Sequence, residues 1–432
     1  MRNLLVLLLP LLSVASAYDL VREYSGQTFF DRWDFYGNWD NLTLGDVWWQ
    51  DRNTATQQRL AYINDNGRAV MRVDNSSNVP FNEKRNSIRI TSQDTYGVGS
   101  LWIIDLTHIP FGCSVWPAFW TKGPLWPDNG EIDIIEAINV RAVPVPVLVP
   151  YRHPVLTSDT QIGHEPQSTG SQGPTDCSLG SGCVVSETKP NSFNEGFAQA
   201  GGGVFATQFD VSGIFMWYWS VRHSFMVLSS EDNTDADWGA WGFQRADIPA
   251  SIQQATSTSS IDISQWGTPS ASFPASGCNI PQYFTAQNLV FDITLCGVWA
   301  GVPSIYTPAC GHSGSTGLCY NDNVVGPGSP KYDDAYFEIN YVRAYSTGPS
   351  STPTPIATGA ANSPNGVAVT VTSGAGVSTT AADPAGPTTT TTTNDAGATR
   401  GSNGSAKLLE WKELGLLAVS LVGLVSSVLV LV

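Results

Sequence analysis

Between Tyr18 and Tyr345 the apolar residues fall in short runs of Val, Ile, Phe, Tyr and Trp, broken by Gly, Pro, Asn and Asp, with no sustained helical recurrence. This pattern predicts strands at 69–73, 87–90, 99–105, 131–138, 204–209, 214–219, 289–295 and 336–345, with a hairpin turning at 210–213. Many short strands joined by long loops predict an all-β fold. The expected architecture is a β-jelly-roll sandwich of two antiparallel sheets, concanavalin A-like, whose curved inner sheet forms a concave substrate cleft.

One of these runs breaks its own alternation. Residues 130–136 read Gly-Glu-Ile-Asp-Ile-Ile-Glu. Period two puts Glu131 and Asp133 on one face and Ile132 and Ile134 on the other. Glu136 lies five positions from Glu131, an odd number, and so falls on the wrong face. One extra residue absorbed as a β-bulge near Ile134 and Ile135 brings the three acids together, and bulges often re-aim side chains beside active sites. Carboxylates crowded on one face repel as anions, so one holds a proton while another stays ionised, giving an acid and a nucleophile.

Acid and isoleucine alternation also describes an ordinary half-exposed strand, and the neighbouring sequence decides between the readings. Trp116-Pro117-Ala118-Phe119-Trp120 and Gly123-Pro124-Leu125-Trp126-Pro127 place Trp116, Trp120 and Trp126 close to the acids. Sugar rings present flat C–H faces on which indole stacks while excluding water. Trp217 and Trp219 share a strand face, and Trp217 is a further candidate for the sugar-binding floor. Trp266, in Trp-Gly-Thr-Pro, has a loop-like setting. Arg89 is a candidate donor to substrate hydroxyls, with a structural salt bridge as the competing role.

The Glu-x-Asp-x-x-Glu spacing, the Trp-Pro-Ala-Phe-Trp lead-in, Gly201-Gly202-Gly203-Val204-Phe205-Ala206 and Cys296-Gly297-Val298-Trp299-Ala300-Gly301 resemble glycoside hydrolase family 16. The likeness is to its fungal laminarinase-like branch, which cleaves β-1,3 and mixed β-1,3/1,4 glucans. It implies the same sandwich, with Glu131 as nucleophile, Glu136 as general acid/base and Asp133 tuning the nucleophile. The function expected is that of a retaining endo-glucanase. A related branch that remodels yeast-type walls by transglycosylation has the shorter Glu-x-Asp-x-Glu, so the extra isoleucine leans towards hydrolysis. The rival readings are a wall transglycosylase and a non-catalytic glucan-binding wall protein. No redox or metal cofactor is required, although some relatives carry a structural calcium remote from the cleft.

Composition narrows the setting. Only 13% of the 432 residues are charged while 11% are aromatic, with 15 tryptophans. A formal charge of -16 and a pI near 4.6 oppose nucleic-acid binding, which needs clustered Lys and Arg, and fit a neutral β-glucan partner. A monomer is expected. Residues 1–17 have a basic start, an apolar middle and an Ala-x-Ala exit, the form of a secretory signal cleaved before Tyr18. Seven cysteines fit that oxidising compartment as structural bridges, with one left over. Asn41-Leu42-Thr43 and Asn75-Ser76-Ser77 match glycosylation acceptors.

The catalytic domain is expected over 18–345. Residues 346–405, dominated by Thr, Ser, Ala, Gly and Pro, cannot bury a core and read as a disordered glycosylated stalk. Residues 406–432 combine a polar spacer with an uncharged apolar tail, the signal for a glycosylphosphatidylinositol anchor attached near Asn403, and this implies a membrane or wall location through lipid. Two segments depart from the family pattern. The proline-rich stretch within 140–165, where His153 is a poor substitute for the usual histidine, and the stretch 221–244 are either genuine loops or, as favoured for one or both, retained intron or a misplaced exon boundary.

Overall fold

In a computed structural model, which describes residues 17–140, 147–149, 168–177, 182–224, 242–244, 247–256, 260–348 and 354–355, the apolar runs pair into two antiparallel nine-stranded sheets. The cleft sheet runs Ser171–Gln172, Cys183–Ser186, Val147–Val149, Glu131–Glu136, Val115–Lys122, Gln287–Leu295, Arg89–Tyr96, Trp33–Phe35, with Thr354–Pro355 also paired to Arg89–Tyr96. The supporting sheet runs Ile261–Asp262, Ala17–Ser25, Tyr336–Ser346, Ser100–His108, Gly203–Asp210, Gly213–Ser220, Ala271–Pro274, with Ala69–Arg72 also paired to Tyr336–Ser346 and Ala61–Ile63 to Ala69–Arg72.

Period-two alternation explains why these segments stack as layers. Ile90, Phe119, Ile132, Ile135, Phe291 and Ile293 from the cleft sheet meet Trp102, Ile104, Phe205, Phe209, Phe337 and Ile339 from the supporting sheet in one buried core. Each such side chain contributes about 1.5–3 kcal/mol on leaving water. The all-β jelly-roll sandwich expected from the sequence is the fold observed.

The hairpin at 210–213 forms as expected, with Asp210 opposite Gly213. The run 87–90 divides instead. Arg85–Ser87 pairs in parallel with Val47–Trp49, whereas Arg89–Tyr96 joins the cleft sheet. Ala17–Ser25, not expected as a strand, buries Tyr18 beside the predicted cleavage point.

Trp217 requires a correction. It lies on Gly213–Ser220 of the supporting sheet, 6% exposed, and packs with Trp219, Trp266, Leu101, Ile103 and Val204 in a second apolar cluster closed by Ile248 and Ile252. Its indole donates to the Gly267 carbonyl at 3.0 Å. This cluster covers the face of the supporting sheet turned away from the main core. Trp217 therefore takes no place in the cleft.

Six cysteines form the bridges Cys113–Cys310, Cys177–Cys183 and Cys296–Cys319, and Cys278 is buried and unpaired. Cys113–Cys310 ties the entrance of the tryptophan-bearing strand to a helix 197 residues further along. Among the described residues no group of three or more His, Cys, Asp or Glu is arranged to hold a metal ion. Most of the signal sequence, stalk, anchor signal and two departing segments, with His153, lie outside the described residues.

Candidate active site

The three acids stand where the odd spacing requires. Between Val115–Lys122 and Glu131–Glu136 the register pairs Ala118 with Glu136, Phe119 with Ile135 and Trp120 with Asp133, then Lys122 with Glu131. Ile134 is the residue left without an opposite partner. Ile132, Ile134 and Ile135 all turn into the core, so at 134–135 two successive apolar side chains point inward and Glu136 rejoins Glu131 and Asp133 on the cleft face. Gly130 fixes where this strand begins. It adopts φ +86°, and a Cβ there would approach the Phe284 ring to 2.4 Å.

The tryptophan-bearing strand alternates in the same way. Trp116, Ala118, Trp120 and Lys122 occupy the cleft face while Val115, Phe119 and Thr121 turn inward. Each indole reaches an acid. Trp116 Nε1 donates to Glu136 Oε1 at 2.9 Å, Trp126 Nε1 to Glu131 Oε2 at 2.6 Å, and Trp120 Nε1 to Asp292 Oδ2 at 2.9 Å. Trp116 and Trp120 are buried, with little ring face open; Trp126 is half-buried and keeps more surface for a sugar.

Asp292 was not anticipated. It sits on Gln287–Leu295 directly opposite Ala118 on one side and Arg89 on the other. The signal in the sequence is a lone acid in the run Leu-Val-Phe-Asp-Ile-Thr-Leu, an expensive residue for a central strand unless a polar face receives it. Arg89 lies beneath these groups, buried, its guanidinium 4.8 Å from the Tyr36 ring and 5.8 Å from the Trp120 ring. It forms no salt bridge among the described residues, so the competing structural role expected for it is not seen. Its charge favours ionisation of Glu131 and Asp292.

Burial dominates the electrostatics. It lifts Glu131 to about 7, with the Trp126 N–H and a hydrogen bond from Asp133 acting in the opposite direction. Glu136 is lifted to about 8, first by burial and then by the charges of Glu131 and Asp292, against the Trp116 N–H. Asp133 is held well above the usual carboxylate range by burial and by both glutamates. Asp292 rises to about 7. The arrangement favours the protonated forms of Asp133 and Glu136 while giving Glu131 the donors that favour its anion.

The chain matches the family described as the XgeA-like catalytic GH16 domain over residues 33–240 and 234–345. It is 33% identical over 342 residues to a probable glycosidase of Schizosaccharomyces pombe, covering 77% of this chain and 70% of that protein. Against the endo-1,3(4)-beta-glucanase xgeA of Emericella nidulans the identity is 32% over 349 residues, covering 77% of this chain and 48% of the relative. The chain thus spans about half the length of that protein, and 41% of a probable endo-1,3(4)-beta-glucanase of Aspergillus niger.

Among solved structures, an elongating GH family 16 beta-1,3-glucosyltransferase superposes with TM-score 0.63 at 32% identity, covering 76% of this chain and all of that one. Laminarinase 16A of Phanerochaete chrysosporium, holding 6-O-glucosyl-laminaritriose in donor and acceptor sites, gives TM-score 0.63 at 28% identity, covering 76% and 99%. With a family match across more than half its length and a relative of this identity and coverage, the chain belongs to glycoside hydrolase family 16, in its XgeA-like branch.

Proposed function

We propose that the protein is a secreted retaining endo-glucanase that hydrolyses internal β-1,3 and mixed β-1,3/1,4 bonds of cell-wall glucans. The observation that carries this reading is the bulge at Ile134, which sets Glu131 and Glu136 on either side of Asp133 on one face. A retaining mechanism needs its two carboxyls only about 5–5.5 Å apart, so that one attacks the anomeric carbon directly. Glu131, kept ionisable by Trp126 and Asp133, forms the bond to that carbon. Glu136, protonated at neutral pH, gives its proton to the departing glycosidic oxygen. In the second half Glu136 takes a proton from water, whose oxygen displaces Glu131 and releases the sugar. Asp133 holds its proton between them and steadies the nucleophile through their hydrogen bond.

The domain incubated with laminarin and with mixed-linkage glucan should release oligosaccharides whose first-formed reducing ends are β, read by proton NMR. First products of α configuration, or no product from either polymer, would end this reading. A second reading, transglycosylation, draws support from the similarity to the elongating glucosyltransferase, since both outcomes pass through one glycosyl-enzyme. A tagged acceptor oligosaccharide that lengthens would decide for it. The presence of both Glu131 and Glu136 argues against a purely glucan-binding role. The apolar start and tail support secretion and lipid anchoring, tested by N-terminal sequencing and by release with a phosphatidylinositol-specific phospholipase.

A further inference from the structure

We propose that Trp39 and Trp48 form a glucan-binding platform outside the cleft, on which a polymer strand lies as it leads into the site. The proposal rests on the reading of the cleft as a β-glucan site. The two indoles are 43% and 41% exposed, unusual for side chains of this size. They are placed there by backbone pairing. Trp39 bridges Trp48 in antiparallel fashion, with Trp49 N donating to Asn38 O at 2.8 Å, and Trp48 pairs in parallel with Asn86. Residues opposite one another on adjoining strands project to the same side, so Trp39, Trp48 and Asn86 form a row, while Val47, Trp49, Arg85 and Ser87 turn inward.

The row continues in amides. Gln50 Nε2 donates to Asn86 Oδ1 at 2.9 Å and to Trp48 O at 3.0 Å, and Asn86 Nδ2 donates to Gln58 Oε1 at 2.8 Å. Two open indoles followed by uncharged amides offer a stacking face and hydroxyl partners together, the recognition chemistry of a neutral sugar chain. The platform is also continuous with the cleft wall. Trp39 lies on the loop 36–45, whose inward residues line the site: Tyr36 lies against Arg89, Leu42 packs on Ala118 and Trp120, and buried Asp40 accepts from Thr294 Oγ1 at 2.7 Å and from Gly45 N at 3.0 Å. A glucan longer than the cleft therefore meets Trp39 next.

The test uses the full chain carrying Trp39→Ala and Trp48→Ala together, with Trp39→Tyr and Trp48→Tyr as an aromatic-retaining pair. Affinity is read by co-sedimentation with insoluble β-1,3-glucan in a Glu131→Gln background, and kcat/KM is read on laminarin and on laminaritetraose. The alanine pair should lose about tenfold in polymer binding and in kcat/KM on laminarin, the tetraose value should hold, and the tyrosine pair should keep most of the wild-type affinity. Unchanged polymer binding, absent binding by the parent, or equal loss on both substrates overturns the platform. Concentration-dependent self-association abolished by the alanine pair would assign the surface to contact between copies and also overturn it. If neither substrate is turned over, the cleft reading fails by itself and sedimentation still decides the platform.

Discussion

Removing either indole N–H should move one limb of the pH–rate profile more than the other. Trp126 donates to Glu131 at 2.6 Å and Trp116 to Glu136 at 2.9 Å. A hydrogen bond to a charged group contributes about 1.5–3 kcal/mol. One pKa unit corresponds to about 1.36 kcal/mol, so losing either donor raises its partner by about 1–2 units, and partial exposure of both glutamates favours about one. In the proposed mechanism Glu131 must be ionised and sets the acid limb, while Glu136 must be protonated and sets the alkaline limb. Trp126→Phe therefore shifts the acid limb to higher pH and narrows the bell. Trp116→Phe shifts the alkaline limb to higher pH and widens it. The acids titrate as a coupled group, so each variant moves both limbs, its own partner's more. The assay is kcat/KM on laminarin from pH 4 to 10, judged by profile shape alone because changing either ring also alters the packing beside the acids. An acid limb unmoved in Trp126→Phe, or a narrowed bell in Trp116→Phe, would refute the assignment of roles.

Three further outcomes are expected. Glu131, Asp133, Glu136 and Asp292 all have folded pKa values raised above 4.5 or 3.8, so their contribution to stability is complete below those unfolded values and is lost as pH rises through 7 and 8. Calorimetry should give a higher Tm at pH 5 than at pH 8, and Asp133→Asn should raise Tm at pH 8 more than at pH 5; a Tm that climbs over that interval contradicts the burial argument. Glu131→Gln should bind glucan nearly as tightly as the parent yet lose about 4 kcal/mol or more of transition-state stabilisation, and retained turnover would reject it as nucleophile. Buried Arg85 donates to the carbonyls of Asp74, Ser77, Val324 and Gly326, so Arg85→Met should cost about 3 kcal/mol or more in urea unfolding, with an unchanged midpoint showing those carbonyls to be satisfied otherwise.

The catalytic strand was legible because its irregularity is written in the spacing: an acid five positions from another cannot share its face unless one residue is absorbed, and only isoleucines are available to absorb it. The alternate tryptophans at 116 and 120 followed from the same period. Trp217 misled because alternation says which residues share a face but not which face of which sheet. Its strand belongs to the supporting sheet, where Ile248, Ile252, Ile261 and Trp266 cover the side that would otherwise meet water. Asp292 escaped because a single polar residue in an apolar run resembles an isolated blemish until the neighbouring strand sets Arg89 beside it. The split at Ile88 was hidden for a similar reason: parallel pairing of Arg85–Ser87 with Val47–Trp49 depends on distant chain, and local pattern carries no trace of it.

Four buried acids acting on one another's charge, two of them also under the influence of Arg89, determine how the cleft would answer a visitor of the opposite sign. A basic iminosugar seated at the reacting ring would draw the cluster into its ionised form, expelling protons to the buffer as it docks. Its grip would tighten on moving from pH 5 towards pH 8, and titration calorimetry in buffers of differing ionisation heat would register the released protons directly. A neutral sugar of the same shape would bind with no such dependence.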